Sequence, residues 1–94
     1  MDEPDVAAII AAAVALVASE SGVDDADVAV VDVTAVTWRD GSLGCPEPGR
    51  YYIQQLIDGF RVLLSAAGKQ YDVHTDRRPG GNMVICSGGG STLE

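Results

Sequence analysis

Apolar residues follow two rhythms along this chain, and the rhythm changes once. In residues 5 to 21, DVAAIIAAAVALVASES, Val6, Ile9, Ile10, Val14 and the pair Leu16-Val17 recur at helical spacing among alanines. That pattern predicts one α-helix. Asp2, Glu3 and Asp5 favour its N-terminal dipole, Pro4 suits its first turn, and Gly22 is placed to end it. No charge falls between Val6 and Ser19. The helix is therefore expected to lie flat on a sheet, covered over much of its circumference. The apolar run Val6 to Val17 is too short to span a bilayer. It also lacks the basic and bulky aromatic residues of a membrane-surface helix.

Past an acidic loop at Asp24-Asp25 the spacing shortens to two. Val28 to Trp38 is rich in β-branched residues and reads as a long strand, with Val31 and Val33 on one face. A bulge near Ala35 is expected, since it would return Val36 and Trp38 to that face. A Gly/Pro-rich loop fills residues 39 to 50. RYYIQQLI then leans towards strand, and Asp58-Gly59 reads as a turn. FRVLLSA sets Phe60, Val62 and Leu64 against Arg61, Leu63 and Ser65. Ala67-Gly68 makes a hairpin turn into KQYDVHT, with Tyr71, Val73 and Thr75 on one side and Gln70, Asp72, His74 and Asp76 on the other. DRRPGGN is a second turn and MVICS a last short strand. One helix followed by an antiparallel meander of four or five strands is a two-layer α+β domain.

The length, 94 residues, suits one domain, expected over 1–87, with 88–94 a Gly/Ser tail whose closing Leu-Glu reads as a vector scar. Formal net charge is -8, which argues against nucleic acid and against anionic membrane surfaces. The start, Met1-Asp2-Glu3, is acidic where an export leader is basic. A small domain has a modest core, so a cross-link would matter.

Cys45 and Cys86 are the two cysteines, the first in the constrained loop DGSLGCPEPG and the second in the last strand. Three readings stay open. A disulfide would tie the loop to the sheet and imply an oxidising compartment. Alternatively Cys45 is a nucleophile with His74, the only histidine, as base. In the third reading Cys45, His74, Cys86 and a carboxylate hold a metal, although no close ligand pair is present. His74 itself is expected on an exposed polar face. Asp24, Asp25 and Asp27 do not fit an EF-hand calcium loop, and Asp58 and Asp72 could pair across strands, but nothing marks them as an acid/base couple.

Residues 36 to 76 carry a run of motifs. W-x-D-x-S-L-G-C-P-x-P-G spans Trp38 to Gly49, G-[FY]-R spans Gly59 to Arg61, and G-x-x-Y-x-x-H-T-D spans Gly68 to Asp76, with Cys86 beyond. The chain thereby resembles a group of small, poorly characterised bacterial proteins. The resemblance implies an exported or lipid-anchored domain, an extracytoplasmic site and a Cys45–Cys86 bridge, and it implies no reaction. The element order is also similar to PepSY-like domains and, more loosely, to cystatins and potato-type protease inhibitors. The expected function is thus a non-enzymatic, monomeric module for a protein or peptide partner, with no cofactor and no resident metal. Its contact surface is expected on the loop Asp40 to Arg50, through Trp38, Leu43, Gly44, Pro46, Pro48, Arg50, Tyr51 and Tyr52, and one form of it is inhibition of a peptidase. The rival is a thiol or metal site on Cys45, His74 and Cys86.

Overall fold

The computed structural model describes residues 6–46, 49–78 and 81–86. Helix α1 (Val6–Ser21) leads into a short 3-10 turn at Asp25–Asp27, and four strands follow: β1 (Ala29–Trp38), β2 (Ile57–Ala66), β3 (Lys69–Asp76) and β4 (Met83–Cys86). They pair antiparallel in the order β1-β2-β3-β4. The fold is one helix on a four-stranded open sheet, the α+β arrangement that the hydrophobic rhythm predicts. The helix-start residues Asp2 to Asp5, Pro48 of the loop, and the tail lie outside the described residues.

Helix α1 ends where expected. Gly22 takes a positive φ of 78°, and the N–H groups of Gly22 and Val23 both donate to the carbonyl of Ala18. Ile9, Ala13 and Val17 are fully buried against Phe60, Val62, Leu64, Ala66 and Val73, and Val33, Tyr71, Met83 and Ile85 pack around them. Ala7, Ala11 and Ala15 form an exposed line at four-residue spacing, so one narrow stripe of the helix faces away from the sheet.

Several expectations about the strands need correcting. The bulge lies between Val30 and Asp32, not near Ala35, and it leaves Val31 51% exposed while Val33 packs on the core. From Asp32 to Trp38 the register with β2 is unbroken. Val36 and Trp38 therefore stay on the face away from the helix, and Trp38 is covered there by other means. Residues 51 to 56 form no strand; β2 starts at Ile57. Asp58-Gly59 is no turn either, because both lie within β2. Glycine is needed at 59 for close approach: a Cβ there would run into the carbonyl oxygen of Thr75. Asp58 pairs across from Thr37 and accepts its hydroxyl, whereas Asp72 lies opposite Leu63, so the two carboxylates do not meet.

The β2–β3 hairpin is closed by Ala67 at φ 52° and Gly68 at φ 77°. Two positive φ values in a two-residue loop are the type I′ geometry that matches strand twist. Alanine is a poor choice for the first of them, since its Cβ crowds the following carbonyl. Ala67→Asn should therefore raise the unfolding free energy by about 1 kcal/mol. A urea titration checks this; an unchanged or lower midpoint would show that this residue carries no such strain.

Candidate functional site

The face of the sheet away from α1 carries Trp38 from β1, Arg61 from β2, Asp72 and His74 from β3, and Cys86 from β4. The loop that follows Trp38 folds back over them. Its first turn is set by Asp40, whose Oδ1 accepts the N–H of Ser42 at 2.9 Å and its hydroxyl at 2.6 Å. The Ser42 hydroxyl, followed by its N–H, holds the Asp40 carboxyl below the usual carboxylate range. The N–H of Leu43 donates to the Asp40 carbonyl, that of Cys45 to Ser42, and that of Gly41 to Ile53.

Leu43 sits at φ 57°, a left-handed conformation that a branched side chain rarely adopts. Its side chain is only 1% exposed, and its carbonyl receives Nδ1 of His74 at 2.6 Å. Gly44 follows at φ 77°, and a Cβ there would lie 2.7 Å from the ring of Trp38. Glycine is thus required twice over at this position, by backbone conformation and by space.

Trp38 stacks on His74, with ring centroids 4.4 Å apart and planes 19° from parallel, and its Nε1–H donates to the carbonyl of Thr75 at 2.9 Å. Nε2 of His74 lies 3.1 Å from Oδ1 of Asp72. Arg61 grips the same carboxylate through two nitrogens, each at 2.9 Å. Hydrogen bonding to Asp72, and then its charge, raise the Arg61 guanidinium above its ordinary pKa. The two ring nitrogens of His74 thus face two oxygens, Nδ1 the Leu43 carbonyl and Nε2 the Asp72 carboxyl. Sγ of Cys86 is 3.2 Å from Nδ1.

Cys45 and Cys86 form a disulfide, with Cα atoms 5.8 Å apart. Both sulfurs are engaged with each other, so in this form neither is a thiolate nucleophile or a metal ligand. Among the described residues no group of His, Cys, Asp and Glu could hold a metal ion. A buried disulfide fits an oxidising, extracytoplasmic environment. No helix of the described residues is long and apolar enough to cross a membrane.

Beside the loop lies a groove of about 460 Å³, walled by Gly41, Ser42, Leu43, Cys45 and Pro46 on one side and by Asn82 to Ile85 on the other, with Arg50 and Tyr52 completing it. The guanidinium of Arg50 lies over the ring of Tyr52, 5.6 Å from its centre. On the far side of the β3–β4 turn Asp76, 5% exposed, accepts the N–H groups of Arg78 and Asn82 and fixes the start of β4.

The anticipated contact residues thus separate. Pro46, Arg50 and Tyr52 line the groove, and Tyr51 is 98% exposed nearby. Trp38, Leu43 and Gly44 point inward and hold the loop. Presentation of Leu43-Gly44-Cys45 to a peptidase does not fit a buried Leu43. His74, expected on an exposed face, is 2% exposed, because the loop roofs the polar side of β3. Sequence reasoning missed Arg61 and Asp72 as its partners. The signal was available: alternation puts Asp72 and His74 on one face and Arg61 on the opposite side of β2 from Phe60 and Val62.

With its cysteines separated by 41 positions in sequence, opening the disulfide should cost about 4 kcal/mol. Urea unfolding of a Cys45→Ala/Cys86→Ala variant measures this. A loss below about 1 kcal/mol would mean that His74 and Trp38 hold the loop without the bridge.

The comparisons with known proteins come down to one match. Residues 10–86 match a family described as Domain of unknown function (DUF8738). No curated protein and no solved structure matches the chain. The matches lend nothing to a PepSY-like or cystatin-like relationship. With the whole sheet and the bridged loop inside the matched segment, the chain belongs to the DUF8738 family, a domain of unknown function.

Proposed function

We propose that this domain is a binding module that takes an extended segment of a partner protein in the groove between the bridged loop and β4. The observation that carries the reading is the composition of that groove: a rigid wall faces an open strand edge. β4 pairs with β3 on one flank only. Asp76 donates its N–H to the Asn82 carbonyl, which fixes the phase of the antiparallel ladder. By alternation His74/Val84 and Asp72/Cys86 are the hydrogen-bonded pairs, and Met83 and Ile85 turn their backbone N–H and C=O outward. An extended peptide adds to such an edge by main-chain hydrogen bonds, while flanking side chains supply specificity.

The opposite wall is prepaid in conformational entropy. Asp40, His74, Trp38 and the disulfide fix residues 41 to 46 before any partner arrives, so little order is lost on binding. Arg50 and Tyr52 give the groove an amphipathic end of the kind enriched at interfaces. Export to an oxidising compartment belongs to the same reading, since the bridge that shapes the groove must persist there.

Peptides selected from a random display library on the oxidised domain provide the test. Amide shift perturbations should cluster at Gly41 to Pro46, Arg50, Tyr52 and Asn82 to Ile85. Met83→Pro removes one outward N–H at the first residue of β4, where proline is tolerated. It should leave the fold intact and weaken the selected peptides by about tenfold or more. Unchanged affinity, or perturbations along the β1 edge instead, would overturn the reading.

A further inference from the structure

A line of hydrogen-bonded polar groups ends at one sulfur of the disulfide. Arg61, with a side chain 52% exposed, forks onto Asp72; Asp72 meets Nε2 of His74 at 3.1 Å; and Nδ1 of His74 lies 3.2 Å from Sγ of Cys86. From β1, Trp38 lays its ring face on the imidazole and holds it in place. The loop contributes only the Leu43 carbonyl. Nδ1 thus lies 2.6 Å from the Leu43 carbonyl and 3.2 Å from Sγ of Cys86, so an N–H there faces both, and the sulfur is the reactive one of the two.

The two sulfurs also differ in access. Cys86 is 4% exposed and takes no part in the groove, whereas half-buried Cys45 lines it. A nucleophile entering the groove reaches Cys45 first, with Cys86 placed as the leaving group beside His74.

We propose that Cys45–Cys86 is a thiol-exchange site whose co-reactant is a dithiol. A thiolate of the dithiol attacks Sγ of Cys45 and forms a mixed disulfide. The Cys45–Cys86 bond breaks, and its electron pair leaves on Sγ of Cys86 as a thiolate, held by the N–H of His74. The second thiol of the reductant then attacks its own sulfur in the mixed disulfide, closing to a disulfide and releasing Cys45. Two electrons and two protons pass from the dithiol to the protein. A leaving thiolate that is stabilised leaves faster, which is the step His74 serves. His74 is a positioning residue here, acting through the sulfur beside it. The chemistry does not depend on what else the groove binds.

The test follows reduction of the oxidised protein by dithiothreitol, with thiol labelling and intact mass as readout. His74→Gln should slow reduction by about tenfold or more. A purely structural role gives the opposite sign, since a loosened loop exposes the bridge and speeds its reduction. Independently, brief treatment of wild-type protein with glutathione should give a mixed disulfide on Cys45, mapped by peptide mass. Equal or faster reduction in folded His74→Gln would overturn the proposal. So would glutathione found on Cys86, and that measurement decides the matter if the variant does not fold.

Discussion

The hydrogen bond from Nδ1 of His74 to the carbonyl of Leu43, 2.6 Å long, is the interaction on which the non-helical side of this protein depends. It fixes a leucine in a left-handed conformation that the backbone would not choose alone. Once Leu43 is fixed, its side chain closes over the sheet, Gly44 passes flat against Trp38, and Cys45 arrives within bonding reach of Cys86. Buried polar networks of this kind are worth having only when every member is satisfied. Here the imidazole has a partner on each nitrogen, and no described buried side-chain N or O is left unpartnered.

The architecture follows from giving a small sheet two unlike covers. On one face α1 supplies aliphatic burial in the ordinary way. Among the described residues no second helix lies on the other face, and the loop segment from Arg39 to Pro46 does the covering. Such a loop has too few apolar side chains to stay in place by burial alone. It is held by one carbonyl, one stacked ring pair and one covalent bond. That economy leaves the β4 edge beside the loop uncovered, and the groove exists because the cover stops there.

The apolar rhythm carried the helix, the three later strands' approximate positions, the Ala67-Gly68 turn and the inward set Phe60, Val62 and Leu64. These are local or periodic features, and local sequence states them. The errors share a cause. Gly59 looked like a turn residue because a close approach to Thr75 leaves no mark in its neighbours. Trp38 and Val36 were assigned to the helix side because a second hydrophobic environment, built by a loop from elsewhere in the chain, is invisible to alternation. His74 looked exposed for the same reason. For Cys45 and Cys86 a bridge is one of three readings the residues leave open, and the one the resemblance implies; the environment that sets one sulfur beside an imidazole and the other beside a groove is not legible, since it requires β1, β2, β3 and the loop to meet.

The most direct measurement is a long-range proton–nitrogen spectrum of the His74 ring in the oxidised protein. A proton on Nδ1, slow to exchange and close in space to Leu43, is what this account predicts. A bare Nδ1, or a ring whose protons exchange as freely as those of an exposed histidine, would contradict it, because neither the fixed Leu43 nor the partnered sulfur could then rest on His74.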